Sequence, residues 1–269
     1  MPAPDAALAS DLALIEEAVR KAGGIARQFF GGSYRRWDKG KGNPVTEADL
    51  QIDRFLRDRL TGARPDYGWL SEETDDDPSR LGKALVFVVD PIDGTIGFLK
   101  GRPQFTVCAG LVCRGESVAG VVFNPLTGEC FTAMKDGGAR LNGGQIAVSA
   151  RETIEGCRML GSRSLFENPL QPPPWPAMQI ETRSSLAYRV TLVASGQFDA
   201  TLALSAKRDW DLAAADIILR EAGGRITARD GTPLRYNRAE PVQPSVVCAN
   251  PVLHARLIER LQRPERLPS

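Results

Sequence analysis

Apolar residues recur along this chain with two different periods. Leu8, Leu12, Ile15, Val19 and Ala22 fall at helical spacing, which predicts a first amphipathic helix stopping at Gly23-Gly24. Ile52, Phe55, Leu56 and Leu60 repeat the pattern and predict a second helix, with Thr46 as its N-cap and Asp49 three residues on. The segment between them, GGSYRRWDKGKGNPV, is glycine-rich and basic. The period then changes. YGWLSEE predicts a short strand that runs into a polar loop, TDDDPSR. Residues 84–89 form an unbroken β-branched apolar run, the mark of a strand covered on both faces, and Pro91 is expected to end its ladder. FTVCAGLV, SVAGVVFNP and ECFTAMK, separated by Gly, Asn and Pro turns, predict an antiparallel meander. From about residue 150 strands alternate with helices, SSLAYRVTLVASG and DWDLAAADIILREAGG being the helical segments. The chain therefore reads as an N-terminal α+β part over 1–150 and a C-terminal α/β part over 151–269, with QPPPWP at 171–176 as an extended loop.

Charge and composition narrow the partners. Among 269 residues, 34 Lys and Arg stand against 33 Asp and Glu, a formal charge of +1. That balance argues against a nucleic acid polymer or an anionic membrane as partner and favours a small molecule. The N-terminal segment lacks the basic region and apolar run of an export signal. No stretch approaches the roughly 18 apolar residues of a membrane span, so the expected location is cytoplasmic. Cys108, Cys113, Cys130, Cys157 and Cys248 include no C-x-x-C pair, which points to buried, reduced thiols rather than zinc ligands or disulfides. His254 is the only histidine and lies in a helical pattern. A surface or core-edge role is expected for it, and histidine-dependent triads lose their base. The sequence holds no G-x-x-x-x-G-K-[ST] loop, no G-x-G-x-x-G after a strand and no G-x-S-x-G elbow.

The chemistry concentrates in acids. Asp90-Pro91-Ile92-Asp93-Gly94-Thr95 places two carboxylates at the C-terminal end of the buried strand, where α/β sites tend to form. Magnesium wants a near-octahedral shell of oxygens, which Asp90, Asp93, the Ile92 carbonyl and water would provide. Gly94 permits a tight turn, after which the Gly94 and Thr95 amides would cradle a phosphate. The same residues also read as a plain turn in which Asp90 caps and Asp93-Gly94 reverses the chain. Glu72 and Glu73 follow a strand-like WL, and Asp211 follows Trp210 at a helix start. Alone, Asp211 reads as an N-cap and the glutamates as solvated loop acids; together the segments make a shared metal site attractive.

VTEAD, WLSEE, DPIDGT, GVVFNPLTGE and WDLAA followed by EAGG occur in this order over roughly residues 38–227. Together they resemble the signature segments of the inositol monophosphatase superfamily. The resemblance implies an α/β fold, a layered αβαβα sandwich of the inositol monophosphatase and fructose-1,6-bisphosphatase type. It implies that Glu72, Asp90, the Ile92 carbonyl, Asp93 and Asp211 ligate two or three magnesium ions. It also implies that Thr95, paired with Asp49, positions and deprotonates a water near Glu72. Lys39, Ser185 and Lys207, with Asp93, Gly94 and Thr95, are the implied phosphate and substrate contacts. Lys41 competes with Lys39 for its match, and Arg163 and Arg183 are further candidates.

Magnesium would let an acidic pocket accept a phosphate dianion and make water nucleophilic, with no protein nucleophile. The resemblance adds lithium sensitivity and a possible homodimer, dimers being common among relatives. Inositol-specific members carry an acid seven residues before the WD aspartate; here that position is Leu204. Lys207 and Arg208 could instead hold a second phosphate or form a solvated basic pair. The tail GTPLRYNRAEP with PSVVCANP looks more like bacterial 3'(2'),5'-bisphosphate nucleotidases. The expected activity is a magnesium-dependent phosphomonoesterase releasing the 3'-phosphate of adenosine 3',5'-bisphosphate. Inositol-1-phosphate or histidinol-phosphate phosphatase activity stands as the alternative, fructose 1,6-bisphosphate remains within the superfamily's range, and a catalytically silent binding protein is the alternative of another class.

Overall fold

The computed structural model describes residues 4–38, 40, 44–167 and 174–262. Helix α1 (Pro4–Phe29) is followed by the paired strands β1 (Arg36–Asp38) and β2 (Pro44–Thr46) and by helix α2 (Glu47–Ala63). α1 does not stop at Gly23-Gly24. A Cβ at position 23 would come within 2.5 Å of the Phe123 ring. That glycine thus serves a close helix-to-sheet approach, which the local pattern could not disclose. Thr46 caps α2 as expected, in a capping box with Asp49.

The two helices cover one face of a seven-stranded sheet. Its strands are β3 (Gly68–Ser71), β4 (Leu85–Asp93), β5 (Thr106–Cys113), β6 (Glu116–Phe123), β7 (Cys130–Met134), β8 (Ala139–Leu141) and β9 (Gly144–Gln145), in spatial order as in sequence. Only the β3–β4 pair is parallel; the others form the expected meander. Ile15, Val19, Ile52, Leu56 and Leu60 meet Phe87, Val89, Leu111 and Val121 in one core. The expected polar loop after β3 contains a 3-10 turn, Pro78–Gly82, capped by Asp77. Pro91 does not end β4. It interrupts the ladder, which pairs Asp90 with Cys108 and resumes with Asp93 opposite Thr106. Helix α3 (Thr95–Leu99) follows directly.

The second half builds a five-stranded sheet from β10 (Arg158–Leu160), β11 (Gln179–Glu181), β12 (Ala200–Ala203), β14 (Arg225–Thr227) and β16 (Val246–Ala249). β13 (Lys207–Arg208) and β15 (Val242–Gln243) pair separately. Helix α4 (Arg163–Phe166) is a single turn. Helices α5 (Leu186–Ala194) and α6 (Ala213–Glu221) form the layer between the two sheets, and α7 (Pro251–Gln262) covers the outer face of the second. The order is helix, sheet, helix, sheet, helix. Small residues make the central layer close: a Cβ on Gly110 would meet the Ala214 nitrogen at 2.9 Å. The central core draws on both halves, from Val88 and Val122 to Ile217 and Val246.

His254 lies inside rather than at the surface, 3% exposed, with Nε2 2.9 Å from the Thr227 hydroxyl. All five cysteines are free, and four of them are buried. No helix among the described residues is long and apolar enough to cross a membrane.

Candidate active site

Two aspartates three residues apart on a regular strand would face opposite sides of the sheet, because side chains alternate. The irregularity at Pro91-Ile92 removes that conflict. Three steps along β4, from Asp90 to Asp93, match two along β5, from Cys108 to Thr106. The inserted residue brings both carboxylates to one face. Asp211 reaches the same point from a 3-10 turn (Asp209–Asp211) ahead of α6, where its carboxylate accepts from the Arg208 amide at 2.8 Å. One oxygen each from Asp90, Asp93 and Asp211 lie within 4.8 Å of one another. They line a cleft of ≈ 430 Å³ with Glu72, Ile92, Gly94, Thr95, Lys207, Pro44, Ile96 and Ser184.

The electrostatics suit a bound cation. Asp90 is 1% exposed, and its Oδ1 is buried with no hydrogen-bond partner. Burial, then Glu72, Asp93 and Asp211, push its carboxyl well above the usual range. Burial raises Asp93 to about 6 despite hydrogen bonds from Ser185, Leu186 and Ala187. Burial, then Asp93, raises Asp211 to about 7. An orphaned buried oxygen amid mutually repelling acids is what a divalent, oxygen-seeking ion would satisfy. Asp90, Asp93 and Asp211 would hold it, and Glu72 and the Ile92 carbonyl border the same space.

Gly94 has φ +95°, a left-handed value that strains any residue with a Cβ. A Cβ there would also come within 3.0 Å of the Ser185 nitrogen. The turn after Asp93 thus lets α5 approach, and the start of α5 clamps that carboxylate. Ser185 Oγ donates to Asp93 Oδ2 at 2.5 Å, and the Leu186 and Ala187 amides donate at 3.2 and 2.6 Å.

Several expected contacts are placed differently. Ser185 does not open into the cleft: it is 0% exposed, with its hydroxyl turned to Asp93, and Ser184 lines the cavity instead. Thr95 is not paired with Asp49. Its hydroxyl donates to the Ile92 carbonyl at 3.0 Å, while Asp49, in the first turn of α2, folds back onto the Thr46 amide and hydroxyl at 2.8 and 2.5 Å. Burial raises Asp49 to about 6, and Glu72 adds to the shift. Asp211 is not the N-cap of α6, which starts at Ala213 after Leu212. Lys207 lies on the cleft with Nζ 3.0 Å from Ser205 Oγ, and Arg208 stacks over Trp210. Glu73, Arg163 and Arg183 are not among the lining residues; the arginines pair with Glu167 and Glu181. Lys39 and Lys41 lie outside the described residues, as do 171–173 of the proline loop.

Arg189 escaped the sequence reading. Its Nε is buried without a partner. Burial pulls the guanidinium below its usual range while Asp93, Cys248 and Asp211 hold it up. A charge interrupting the apolar helix SSLAYRVTLVASG was the available signal.

Known proteins resemble this chain in sequence and in fold. The profile of the Inositol monophosphatase family matches residues 8–265. The chain is similar to an inositol-1-monophosphatase of Rhizobium meliloti (strain 1021), at 34% identity covering 94% of this chain and 96% of that protein. It is also similar to a 3'(2'),5'-bisphosphate nucleotidase CysQ of Aggregatibacter actinomycetemcomitans, at 32% identity over 86% of this chain and 89% of the relative. Its structure superposes on the extragenic suppressor protein suhB from Bartonella henselae with a TM-score of 0.81, at 28% identity, covering 93% of this chain and 98% of that one. With the layered fold and the carboxylate cluster in place, a match over nearly its full length settles the kinship: the chain belongs to the Inositol monophosphatase family of phosphoric monoester hydrolases.

Proposed function

We propose that this chain is a magnesium-dependent phosphomonoesterase whose substrate is a small nucleoside 3',5'-bisphosphate, cleaved to the 5'-monophosphate and inorganic phosphate. The observation that carries the first half is the unpartnered, buried Oδ1 of Asp90 on the floor of a cleft shared with Asp93 and Asp211. Such a cleft repels a phosphate dianion on its own. Magnesium bound there would supply the compensating charge and make water more acidic. The chain's own part is to hold that charge in place and orient the ester. Asp93 is fixed by the start of α5, Gly94 and Thr95 line the cleft where their amides would meet the phosphoryl oxygens, and Glu72 and Thr95 would border the attacking water.

The bisphosphate reading rests on cations beside the acids. Lys207 lines the cleft; Arg189 is not among the lining residues, but its charge lies within reach of Asp93 and Asp211. A cation on the cleft wall, as Lys207 is, suits a second phosphate. Leu204, where inositol-specific members are expected to carry an acid, offers no acceptor for a ring hydroxyl. Inositol 1-phosphate is the second reading, favoured by the similarity to the Rhizobium meliloti protein.

The test is steady-state phosphate release from adenosine 3',5'-bisphosphate, inositol 1-phosphate, histidinol phosphate and fructose 1,6-bisphosphate at one magnesium concentration. The expected result is a kcat/KM highest for the nucleotide and abolished by a chelator. Preference for inositol 1-phosphate would move the chain to the second reading. Silence on every ester, with magnesium bound, would make it a non-catalytic binding protein.

A further inference from the structure

Behind Asp93 a row of side chains leads away from the cleft. Ser185 Oγ lies 2.5 Å from Asp93 Oδ2, Thr106 Oγ1 2.9 Å from Ser185 Oγ, and Cys108 Sγ 3.2 Å from Thr106 Oγ1. All three residues are 0% exposed. The row exists because Thr106 and Cys108, two apart on β5, share one face of the sheet with their cross-strand partners Asp93 and Asp90.

Counting protons fixes its direction. A hydroxyl has one proton to give and two lone pairs to receive with. An ionised Asp93 can only accept, so the Ser185 proton goes to it. The Ser185 oxygen then receives from the Tyr188 amide, 2.9 Å away, and from Thr106. With its own proton committed to Ser185, Thr106 must receive from the Cys108 thiol. Each member is satisfied in one arrangement only, and bonds aligned in one sense polarise each other.

We propose that Cys108, Thr106 and Ser185 form a one-way donor chain that orients the Asp93 carboxylate for a divalent cation, with Thr106 as the positioning residue at its centre. The proposal rests on reading the carboxylate cluster as a metal site. It explains a contrast within that site: Asp93 is held by three donors from α5, the first backed by this row, whereas Asp90 keeps an oxygen free. Outer partners that orient a metal ligand commonly govern affinity by 10- to 100-fold.

The experiment is calorimetric titration of the metal-free full chain with manganese or magnesium, alongside its thermal midpoint. Thr106→Val, which keeps shape and removes the donor, is expected to weaken ion binding by roughly tenfold. Thr106→Ser is expected to restore it. Cys108→Ala tests the far end without touching Thr106; a loss of about threefold is expected, smaller because it lies two bonds further from the ligand. Cys108→Ser, which still donates, should show none. If the wild-type chain binds no ion, the metal reading itself falls. If wild type binds and Thr106→Val or Cys108→Ala changes only the thermal midpoint, the donor chain is refuted while the metal site stands.

Discussion

Five residues along the chain from the half-buried Asp211 lies the buried Asp216, and the two carboxylates live opposite lives. Asp216 receives Arg220 Nε on one oxygen and the Tyr236 hydroxyl on the other at 2.6 Å, and Arg220 also reaches the Ser117 carbonyl. Asp209 is likewise filled, by Gln243 Nε2 at 2.7 Å and the Asn237 amide at 2.8 Å. Asp90, Asp93 and Asp211 instead face one another, with a cleft where a countercharge belongs. Burial is shared by Asp90, Asp93, Asp209 and Asp216, while Asp211 is half-buried. What separates the working group is that its members repel one another across a shared cleft and that one oxygen, on Asp90, is left without any partner from the protein.

Asparagine, which keeps shape and removes charge, should break the comparison in opposite ways. Asp90→Asn is expected to lower magnesium-dependent phosphate release by more than about a hundredfold, since loss of a ligand exceeds loss of a partner behind one. The metal-free thermal midpoint should stay level or rise, because a repelled buried charge has gone. A variant within tenfold of wild type would remove Asp90 from the site. Asp216→Asn should do the reverse. It leaves one of Arg220 and Tyr236 facing an amide NH2 instead of an acceptor and removes the charge that Arg220 pairs with, and is expected to cost roughly 2 kcal/mol, seen as a lower midpoint in a urea titration. Ion binding per folded molecule should not move.

The working group should also announce itself through pH. Asp49 and Asp93 are raised to about 6 and Asp211 to about 7, each by burial first. A carboxyl raised in the native state contributes stability that is complete below its unfolded pKa of about 4. That contribution is lost as pH rises through the folded value. From these groups, then, the metal-free protein loses stability between about pH 4 and pH 7. Magnesium must displace the same protons, so the rise in thermal midpoint on adding it should be larger at pH 8 than at pH 5. Equal rises at both values would mean the ion binds elsewhere.

How far the residues alone revealed this depends on how local each cause is. The acids at 90, 93 and 211 read locally as a turn and a cap, and only their joint occurrence and the resemblance singled them out; the run 84–89 and the Thr46 cap declare themselves within a few positions, because periodicity and capping are short-range. Gly23 could not, since its reason is Phe123, a hundred residues on. Nor could the bulge at Pro91, where the proline signalled a break but the register on β5 decided that the ladder resumes. Ser185 and Thr95 kept their places beside the cleft while their hydroxyls went to Asp93 and Ile92, because rotamers answer to neighbours from other segments. Arg189 was passed over for the same reason: its significance lies in acids from two other stretches of chain.

His254 extends the contrast to a group whose burial favours the uncharged form. Burial, and then Arg225, lower its imidazole to about 4. It sits against the Thr227 hydroxyl, and among the described residues no carboxylate pairs with it. For a base held below its unfolded pKa of about 6.5 the sign is opposite to that of the aspartates. Its contribution is complete above that value and is lost as pH falls toward 4. His254→Gln can keep a hydrogen bond to Thr227 but cannot titrate. The wild type should therefore lead the variant by its full margin at pH 7.5 and by little or nothing at pH 4.5, with phosphate release unchanged at neutral pH. A margin that stays constant across that range would show the imidazole to be solvated, and would move His254 back to the edge of the core.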